Sequence, residues 1–314
     1  MVEGIRKFTP SRMSILYSFL REVLLQGGIY GFIITTLTYK YYISMLHLLK
    51  DLLGNYSTEH ILFTIMISIS HTILFYTMTT MFTIFDKLSL FQQYKMPRTD
   101  VQSNESKQLY WKTFIEVSVY QFFVNPILAY LLYPCFVYFG SPTLFAELPT
   151  TYEIIKSFCI AHFCNDFFFY WTHRALHAFF YNIHKQHHSH HGPISICAEY
   201  ANPVESLFSN VFPSIFGIMF FPSHPLIGIV WLSLRVRQTL ETHSGFCFNH
   251  PVLEAIGLTH AHGSAHHDFH HSVNQPGNFG EGEYMDYVFG TLNKYVDSGG
   301  MTAYIERNNK QKES

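Results

Sequence analysis

Charged residues are scarce in this chain. Only 13% of its 314 residues are Asp, Glu, Lys or Arg, against about 25% in ordinary soluble domains, whereas 48% are hydrophobic and 18% are aromatic. The net charge of -2 provides no cluster of Lys and Arg on which nucleic-acid binding could depend. The composition therefore predicts a membrane protein and argues against a nucleic-acid partner.

Several metal and disulfide signatures are also missing. The five cysteines form no CxxC pair and are odd in number, which argues against a zinc ribbon and against a disulfide framework. The sequence contains no HExxH motif, the signature of many zinc proteases. We expect the cysteines to be free thiols in apolar surroundings.

Four apolar stretches are long enough to cross a bilayer, which takes about 20 residues: residues 23–49, 60–85, 114–139 and 152–171. Lys and Arg lie mostly in the first 22 residues, in the segment 86–112 and after residue 171. By the positive-inside rule these three parts face the cytoplasm. The sequence thus predicts an all-α membrane bundle of about four transmembrane helices with a cytoplasmic histidine-rich region.

A further apolar stretch, residues 207–234, is interrupted by Pro213, Pro222 and Pro225. Proline breaks helices, and a single crossing would put the histidines before and after this stretch on opposite sides of the membrane. We therefore expect an interfacial helical hairpin. The predicted organisation is a membrane region over 1–165, a catalytic region over 166–300 and a polar tail over 301–314.

Histidine is concentrated in one region, since 16 of the 20 histidines lie between residues 173 and 271. They form the clusters HRALH, HKQHH and HHDFHH. Helix positions i, i+3 and i+4 share a face, so each HxxHH run is expected to direct three imidazoles to one point. The clustered residues are His173, His177, His184, His187, His188, His266, His267, His270 and His271.

So many histidines exceed the four ligands of one zinc ion and imply two metal ions. Imidazole suits iron, zinc, copper and nickel alike. Iron is favoured because oxidation of an apolar substrate requires a redox metal. We expect carboxylates to orient some of the imidazoles, the candidates being Asp166, Glu199, Glu205, Glu241 and Asp268. Single histidines are placed outside the site, in the apolar core (His47, His71 and His162) or at surface or supporting positions (His190, His191, His224, His250, His260 and His262).

Several motifs in this region resemble the membrane fatty acid hydroxylase and sterol desaturase superfamily of non-haem di-iron enzymes, and within it the C-4 methylsterol oxidases. They are D-x3-Y-x2-HRxxH at 166–177, IHKxHH at 183–188, AEYxxPxE at 198–205, HSG at 243–245, GSxHHDFHH at 263–271 and D-x2-FGT at 286–291. The resemblance implies these iron ligands: His173, His177, His184, His187, His188, His243, His267, His270 and His271, with His266 as a further candidate.

The same resemblance implies two iron ions, O2, and electrons from NAD(P)H through cytochrome b5 or a similar donor. It also implies a sterol or other lipid substrate, an endoplasmic-reticulum membrane with the catalytic side in the cytoplasm, and stepwise oxidation of a C-4 methyl group. This chain has Asn202 where the family commonly has His, and Asn165 where relatives often have Glu. These departures leave the exact reaction open.

Other functions remain open at this stage. C-5 sterol desaturation, sterol side-chain oxidation and lipid hydroxylation use the same histidine clusters and differ in the carbon presented. A histidine-rich metal transporter is the alternative from another class. Its histidines would lie within the spans or in a low-complexity loop, whereas most of these lie outside the spans in regular frames.

Overall fold

The computed structural model describes residues 12–96, 98, 106–273 and 277–300. The predicted polar tail 301–314 lies outside these residues. The described chain is helical and contains no β-strand, which confirms the all-α prediction; one isolated antiparallel bridge joins Lys95 and Phe246.

Eleven helices follow one another along the described residues. α1 consists of Arg12–Arg21, the wider π-helical turns Glu22–Tyr30, and Gly31–Leu53, which follow one another without a break. α6 likewise joins Pro203–Glu205, the π-helical turn Ser206–Val211, and Phe212–Phe220. The other helices are α2 (Glu59–Lys87), α3 (Lys107–Tyr138), α4 (Thr151–Phe179), α5 (Tyr181–His184), α7 (Pro225–Thr242), α8 (Pro251–Ala255), α9 (Ala261–Val273), α10 (Glu283–Val288) and α11 (Asn293–Asp297). Short 3-10 turns lie at Gly54–Tyr56, Gln92–Tyr94, His187–Ser189 and Ser195–Glu199.

The largest apolar core joins α1, α2, α4, α6 and α7. Leu46, Leu62, Phe158, Ile218 and Trp231 are all nearly inaccessible within it. α6 and α4 approach closely at Gly217, where a Cβ atom would lie 2.6 Å from the Cα atom of Ala161. This contact fixes the hairpin formed by α6 and α7 against α4.

α4 begins at a capping box. Glu153 N donates to Thr150 Oγ1 at 3.3 Å, and Thr150 N donates to Glu153 Oε2 at 2.9 Å. The backbone N–H groups of Thr150 and Glu153 have no helical carbonyl to bind, and the capping box pairs both of them. The helix then continues without a break for 29 residues to Phe179 and carries the first two clustered histidines.

α2 and α3 are long and apolar enough to cross a membrane; α2 contains the predicted span 60–85, and α3 contains all but the last residue of the predicted span 114–139. In the most apolar stretch of α3 only 11% of the residues are buried, and Ile127 and Leu131 are 60% and 64% exposed. Apolar side chains in such numbers require an apolar surrounding. The other two predicted spans lie in α1 and α4, and their crossing of the membrane stays a prediction.

The predicted hairpin over 207–234 corresponds to α6 and α7, which are joined by a short turn over 221–224. Pro225 lies in the first turn of α7, where it is tolerated, and His224 Nδ1 accepts from Leu226 N at 3.1 Å. The hairpin returns the chain, so the histidines before α6 and after α7 lie in one place. Its location in a membrane stays a prediction.

Candidate metal centre

Nine buried or partly buried histidines meet where α4, α7 and α9 converge. α4 provides two of them, the segment 184–188 three, the residue after α7 one and α9 three. They form two groups, and within each group the potential ligand nitrogens, one from each ring, all lie within 4.8 Å of one another. Group A contains His173, His177, His184, His188 and His270, and group B contains His187, His243, His267 and His271.

The prediction that each HxxHH run directs three imidazoles to one point is wrong. His184 and His188 join group A while His187 joins group B, and likewise His270 joins group A while His267 and His271 join group B. Successive helical residues are rotated by about 100°, so positions i+3 and i+4 point to opposite sides of position i. The first of these runs is moreover not one helix, because α5 ends at His184 and a 3-10 turn follows at His187.

Backbone carbonyls and one carboxylate fix the orientation of several rings through Nδ1. His173 donates to Phe279 O at 2.8 Å, His270 to Gly277 O at 2.8 Å and His243 to Thr239 O at 2.8 Å. His184 Nδ1 lies 2.7 Å from Glu205 Oε1, and His271 Nδ1 lies 3.3 Å from His190 O. Because Nδ1 carries the proton in these pairs, Nε2 presents an unprotonated lone pair.

These lone pairs point at one another. In group A, Nε2 of His184 lies 3.0 Å from that of His173 and 2.9 Å from that of His188. In group B, Nε2 of His267 lies 2.9 Å from that of His243 and 3.1 Å from that of His271. Bonds of about 2.1 Å to one metal ion separate neighbouring nitrogens by about 3.0 to 3.4 Å. A shared cation therefore explains an arrangement in which the lone pairs would otherwise repel.

Burial keeps these imidazoles neutral. It lowers the pKa of His243 and of His270 to about 4 and the pKa of His177 to about 2. Neutral imidazole is the form that binds metal, so at pH 7 the rings are ready to act as ligands. The donor set contains only nitrogen, and two groups of this size fit two metal ions.

His266, the tenth predicted candidate, lies in neither group. Its side chain is fully buried and its Nε2 lies 3.4 Å from Asp286 Oδ2. Asn202 also lies outside both groups, where its Oδ1 caps α6 by accepting from Val204 N at 3.0 Å. The role of the nine grouped histidines as ligands stays a prediction.

Among the five predicted supporting carboxylates, only Glu205 has a hydrogen bond to a grouped histidine in the described structure. Asp268 instead forms a two-pronged ion pair with Arg98 at 2.7 and 2.8 Å, and Glu241 accepts from Arg237 at 2.8 Å. Of the two positions expected for His190, His224 and His260, surface or supporting, the surface position is wrong, because all three are at most 3% exposed; the carbonyl oxygen of His190 lies 3.3 Å from His271 Nδ1 and so has a supporting position. Hydrogen bonds to neighbouring elements offset the cost of burying their polar rings.

Asp286 has a role that reasoning about single residues missed, although it begins the D-x2-FGT motif. Its Oδ1 accepts from Phe279 N at 2.8 Å and from Thr291 Oγ1 at 2.6 Å, and its Oδ2 accepts from Gly280 N at 2.7 Å. These bonds hold the loop whose Phe279 carbonyl orients His173. The signal in the sequence is an isolated Asp three residues before an FGT turn.

A cavity of about 230 Å³ reaches group B. Its walls come from α2, α3, α6 and α7, and they include Phe63, Leu132 and Ile215 along its length and His243 and His267 at one end. The backbone of α7 extends about 27 Å along the cavity from Pro225 to His243. The cavity therefore leads from between the two apolar helices to the histidines of group B.

A family model for fatty acid hydroxylase matches residues 158–291, which contain every grouped histidine. A Dictyostelium discoideum protein, provisionally named methylsterol monooxygenase, is 34% identical over 248 residues that cover 77% of this chain and 87% of the relative. No solved structure matches the chain.

Two plant relatives cover similar shares of the chain. A very-long-chain aldehyde decarbonylase of Oryza sativa subsp. indica is 32% identical over 254 residues, or 78% of this chain and 91% of the relative. Methylsterol monooxygenase 2-2 of Arabidopsis thaliana is 30% identical over 230 residues, or 72% of this chain and 84% of the relative.

Proposed function

The chain belongs to the fatty acid hydroxylase superfamily, and from this premise we propose that it is a membrane-bound di-iron monooxygenase that oxidises a C-4 methyl group of a sterol. The superfamily is one of non-haem iron oxygenases. One turnover converts R–H, O2, two electrons and two protons into R–OH and water. Repetition at the same carbon gives the aldehyde and then the acid.

The observation that carries this proposal is the cavity that ends at His243 and His267. Its walls are mainly apolar and belong in part to the candidate membrane helices α2 and α3. A lipid dissolved in the bilayer could enter it without crossing water. Two iron ions held by groups A and B would supply the activation of O2 that an unactivated C–H bond requires.

The residues of the chain perform the remaining tasks. The cavity walls hold the substrate with one carbon near His243 and exclude water from it. The Nδ1 partners, such as Phe279 O and Glu205, keep the rings fixed in the orientation in which they would hold a metal ion. Group A lies away from the cavity lining and is therefore shielded from the substrate.

The membrane arrangement forms part of the proposal. The enzyme lies in the endoplasmic-reticulum membrane with four crossings, the histidine-rich region 166–300 faces the cytoplasm, and electrons arrive from NAD(P)H through cytochrome b5 or a similar donor. The charge distribution in the sequence supports this orientation.

A second candidate is the conversion of a long-chain aldehyde, because one of the similar proteins is named an aldehyde decarbonylase. Expression in a strain that lacks its own C-4 methylsterol oxidase separates the two candidates. Under the proposal, the accumulated 4-methylated sterols disappear. Unchanged sterols in cells that contain the iron-loaded protein would contradict it, and accumulation of a sterol without the ring-B double bond on deletion of the native gene would favour a C-5 desaturase.

A further inference from the structure

Arg98 lies in the connection between α2 and α3, yet its side chain reaches the histidine centre. Its guanidinium group pairs with both carboxylate oxygens of Asp268 on α9, at 2.7 and 2.8 Å, and Nη2 also donates to Pro193 O at 3.3 Å. Asp268 is fully buried, and a buried carboxylate is costly unless a cation is paired with it. Arg98 provides that cation and links α9 to the segment that contains Pro193.

The same connection is joined to the turn that follows His243. Met96 N donates to Gly245 O at 2.9 Å. Gly245 has a φ of 78°, and a Cβ atom at this position would lie 3.0 Å from Arg98 Nη2 and 3.3 Å from Pro193 O. A residue with a side chain would therefore be strained in its backbone and crowded by the guanidinium group. Glycine lets Arg98 pack directly against this turn.

Three chain segments thus meet at Arg98, and together they carry every histidine of group B. The segments are 187–193, the turn 243–247 and α9, and the histidines are His187, His243, His267 and His271. His271 Nδ1 moreover lies 3.3 Å from His190 O, which belongs to the first of these segments. Four nitrogens can bind one ion only if the segments that carry them keep fixed separations, and Arg98 contacts all three segments.

Group A is fixed by other contacts. The rings of His173 and His270 donate through Nδ1 to the carbonyls of Phe279 and Gly277, both at 2.8 Å. Neither carbonyl lies in the three segments that meet at Arg98. A change at Arg98 should therefore loosen group B and leave the geometry of group A as it is.

We propose that Arg98 is a positioning residue for the metal ion of group B, because it holds the three histidine-bearing segments at the separations that let their imidazoles share one cation. Arginine suits this task, since its planar guanidinium group presents two parallel N–H groups to a carboxylate and can donate to a carbonyl as well. The inference rests on the proposed function, which assigns a metal ion to each group. It adds that the two ions depend unequally on one residue outside both groups.

Binding of Fe²⁺ to the metal-free full-length protein in detergent, in the absence of oxygen, tests this inference apart from the reaction. Equilibrium dialysis over a range of Fe²⁺ concentrations gives the number of ions bound and the affinity of each site. We expect the wild type to bind two ions. Arg98→Lys should bind one ion with unchanged affinity and the other about 10- to 100-fold more weakly, which is the usual effect of losing an outer partner of a metal ligand.

A double variant guards against misfolding around an unpaired carboxylate. Arg98→Met combined with Asp268→Asn removes both charges of the ion pair at once, and it should weaken the same single site. Uniform weakening of both sites in Arg98→Lys and in this double variant would indicate a general structural role and would overturn the inference.

Ligand substitutions identify which site is weakened. When His271→Ala has removed a ligand of group B, addition of Arg98→Lys should leave the affinity of the remaining ion unchanged. When His270→Ala has removed a ligand of group A, addition of Arg98→Lys should weaken the remaining ion by the same factor of about 10 to 100. The reverse pattern would overturn the assignment of Arg98 to group B.

Arg237→Lys is the matched control. Arg237 Nη1 also donates to a carboxylate and a carbonyl, those of Glu241 and Leu258, at 2.8 and 3.2 Å, but among the described residues its hydrogen bonds reach neither α9 nor the segment 187–193. This variant should bind both ions as the wild type does, and a loss equal to that in Arg98→Lys would contradict the inference. Two unchanged sites in Arg98→Lys and in the double variant would overturn the inference alone, whereas a wild type that binds fewer than two ions would refute the proposed function together with it.

Discussion

The apolar helices α2 and α3 differ from the histidine centre in which side chains are buried. Ile127 and Leu131 of α3 are mostly exposed, so the stability of this region depends on an apolar surrounding. The centre instead encloses nine buried or partly buried imidazoles, and its stability depends on Nδ1 partners and, under the proposed function, on a cation between its Nε2 lone pairs. The two regions meet in the cavity, so under the proposed function the substrate enters through one region and reacts in the other.

Among the changes predicted here, removal of a metal-ligand histidine should lower activity the most, and it tests the histidine centre. His270→Ala removes a nitrogen of group A, and we expect activity to fall by more than about 100-fold. Mutation of a residue that only hydrogen-bonds a metal ligand already lowers metal affinity or activity by about 10- to 100-fold. Turnover of a C-4 methylated sterol by membranes containing the variant measures this. His47→Ala is the control, since His47 lies in α1 against Phe145, and an equal loss in both variants would argue against a metal role for His270.

Acid should destabilise the metal-free centre. Burial lowers the pKa of His243 and His270 to about 4 from about 6.5 in the unfolded chain. The unfolded chain therefore binds more protons between these values, so the contribution to stability is complete above pH 6.5 and is lost as the pH falls toward 4.

Each of these two groups should account for about 3 kcal/mol over that range. Denaturant unfolding of the metal-free protein at several pH values measures the effect. Bound iron should oppose the loss, because it stabilises the neutral form of its ligands. A free energy of unfolding that is constant from pH 6.5 to pH 4 would contradict the burial of neutral imidazoles.

An arginine introduced on the exposed face of α3 tests whether the pair of apolar helices lies in a membrane. Ile127→Arg should disfavour membrane insertion by about 2.5 to 3.5 kcal/mol if this face contacts lipid. The fraction of chains that integrate into microsomal membranes measures this, with Ile127→Leu as the control. Equal integration of the two variants would indicate that the face is covered by protein or lies in water.

Glu205→Gln should have the smallest effect of the four. It keeps the shape of the side chain but replaces the carboxyl partner of His184 Nδ1 with an amide, which cannot become the carboxylate that would balance a bound cation. We expect iron affinity or turnover to fall about 10- to 100-fold. Glu199→Gln is the control, because Glu199 pairs with His71 at 3.0 Å rather than with a grouped histidine. A Glu205→Gln variant with wild-type iron affinity and turnover would show that the backbone carbonyls alone are enough to orient the histidine rings.

Local patterns in the sequence predicted the helical fold and eight of the nine grouped histidines, whereas His243 was predicted only from the resemblance to the family. These predictions failed where geometry depends on three-dimensional position. The division of His184, His187 and His188 between two groups follows from a break in the helix that spacing alone does not reveal. The carbonyls of Phe279 and Gly277 orient ligands, yet any residue type provides a carbonyl, so the sequence marks neither.

The carboxylates illustrate the same limit. Five of them lie near the clusters in the sequence, and only Glu205 is hydrogen-bonded to a grouped histidine. Asp286, 15 residues after the last cluster, fixes a loop of the site through two backbone N–H groups. Distance along the chain is a poor guide to such supporting contacts because loops bring distant residues together.

X-ray absorption at the iron edge of the iron-loaded protein, combined with iron quantification, tests the central claim most directly. The account predicts two irons per chain, coordinated mainly by imidazole nitrogen at about 2.1 Å, and about one iron per chain in either His270→Ala or His271→Ala. A single iron in the wild type, sulfur ligation, or an iron content that neither substitution changes would contradict it.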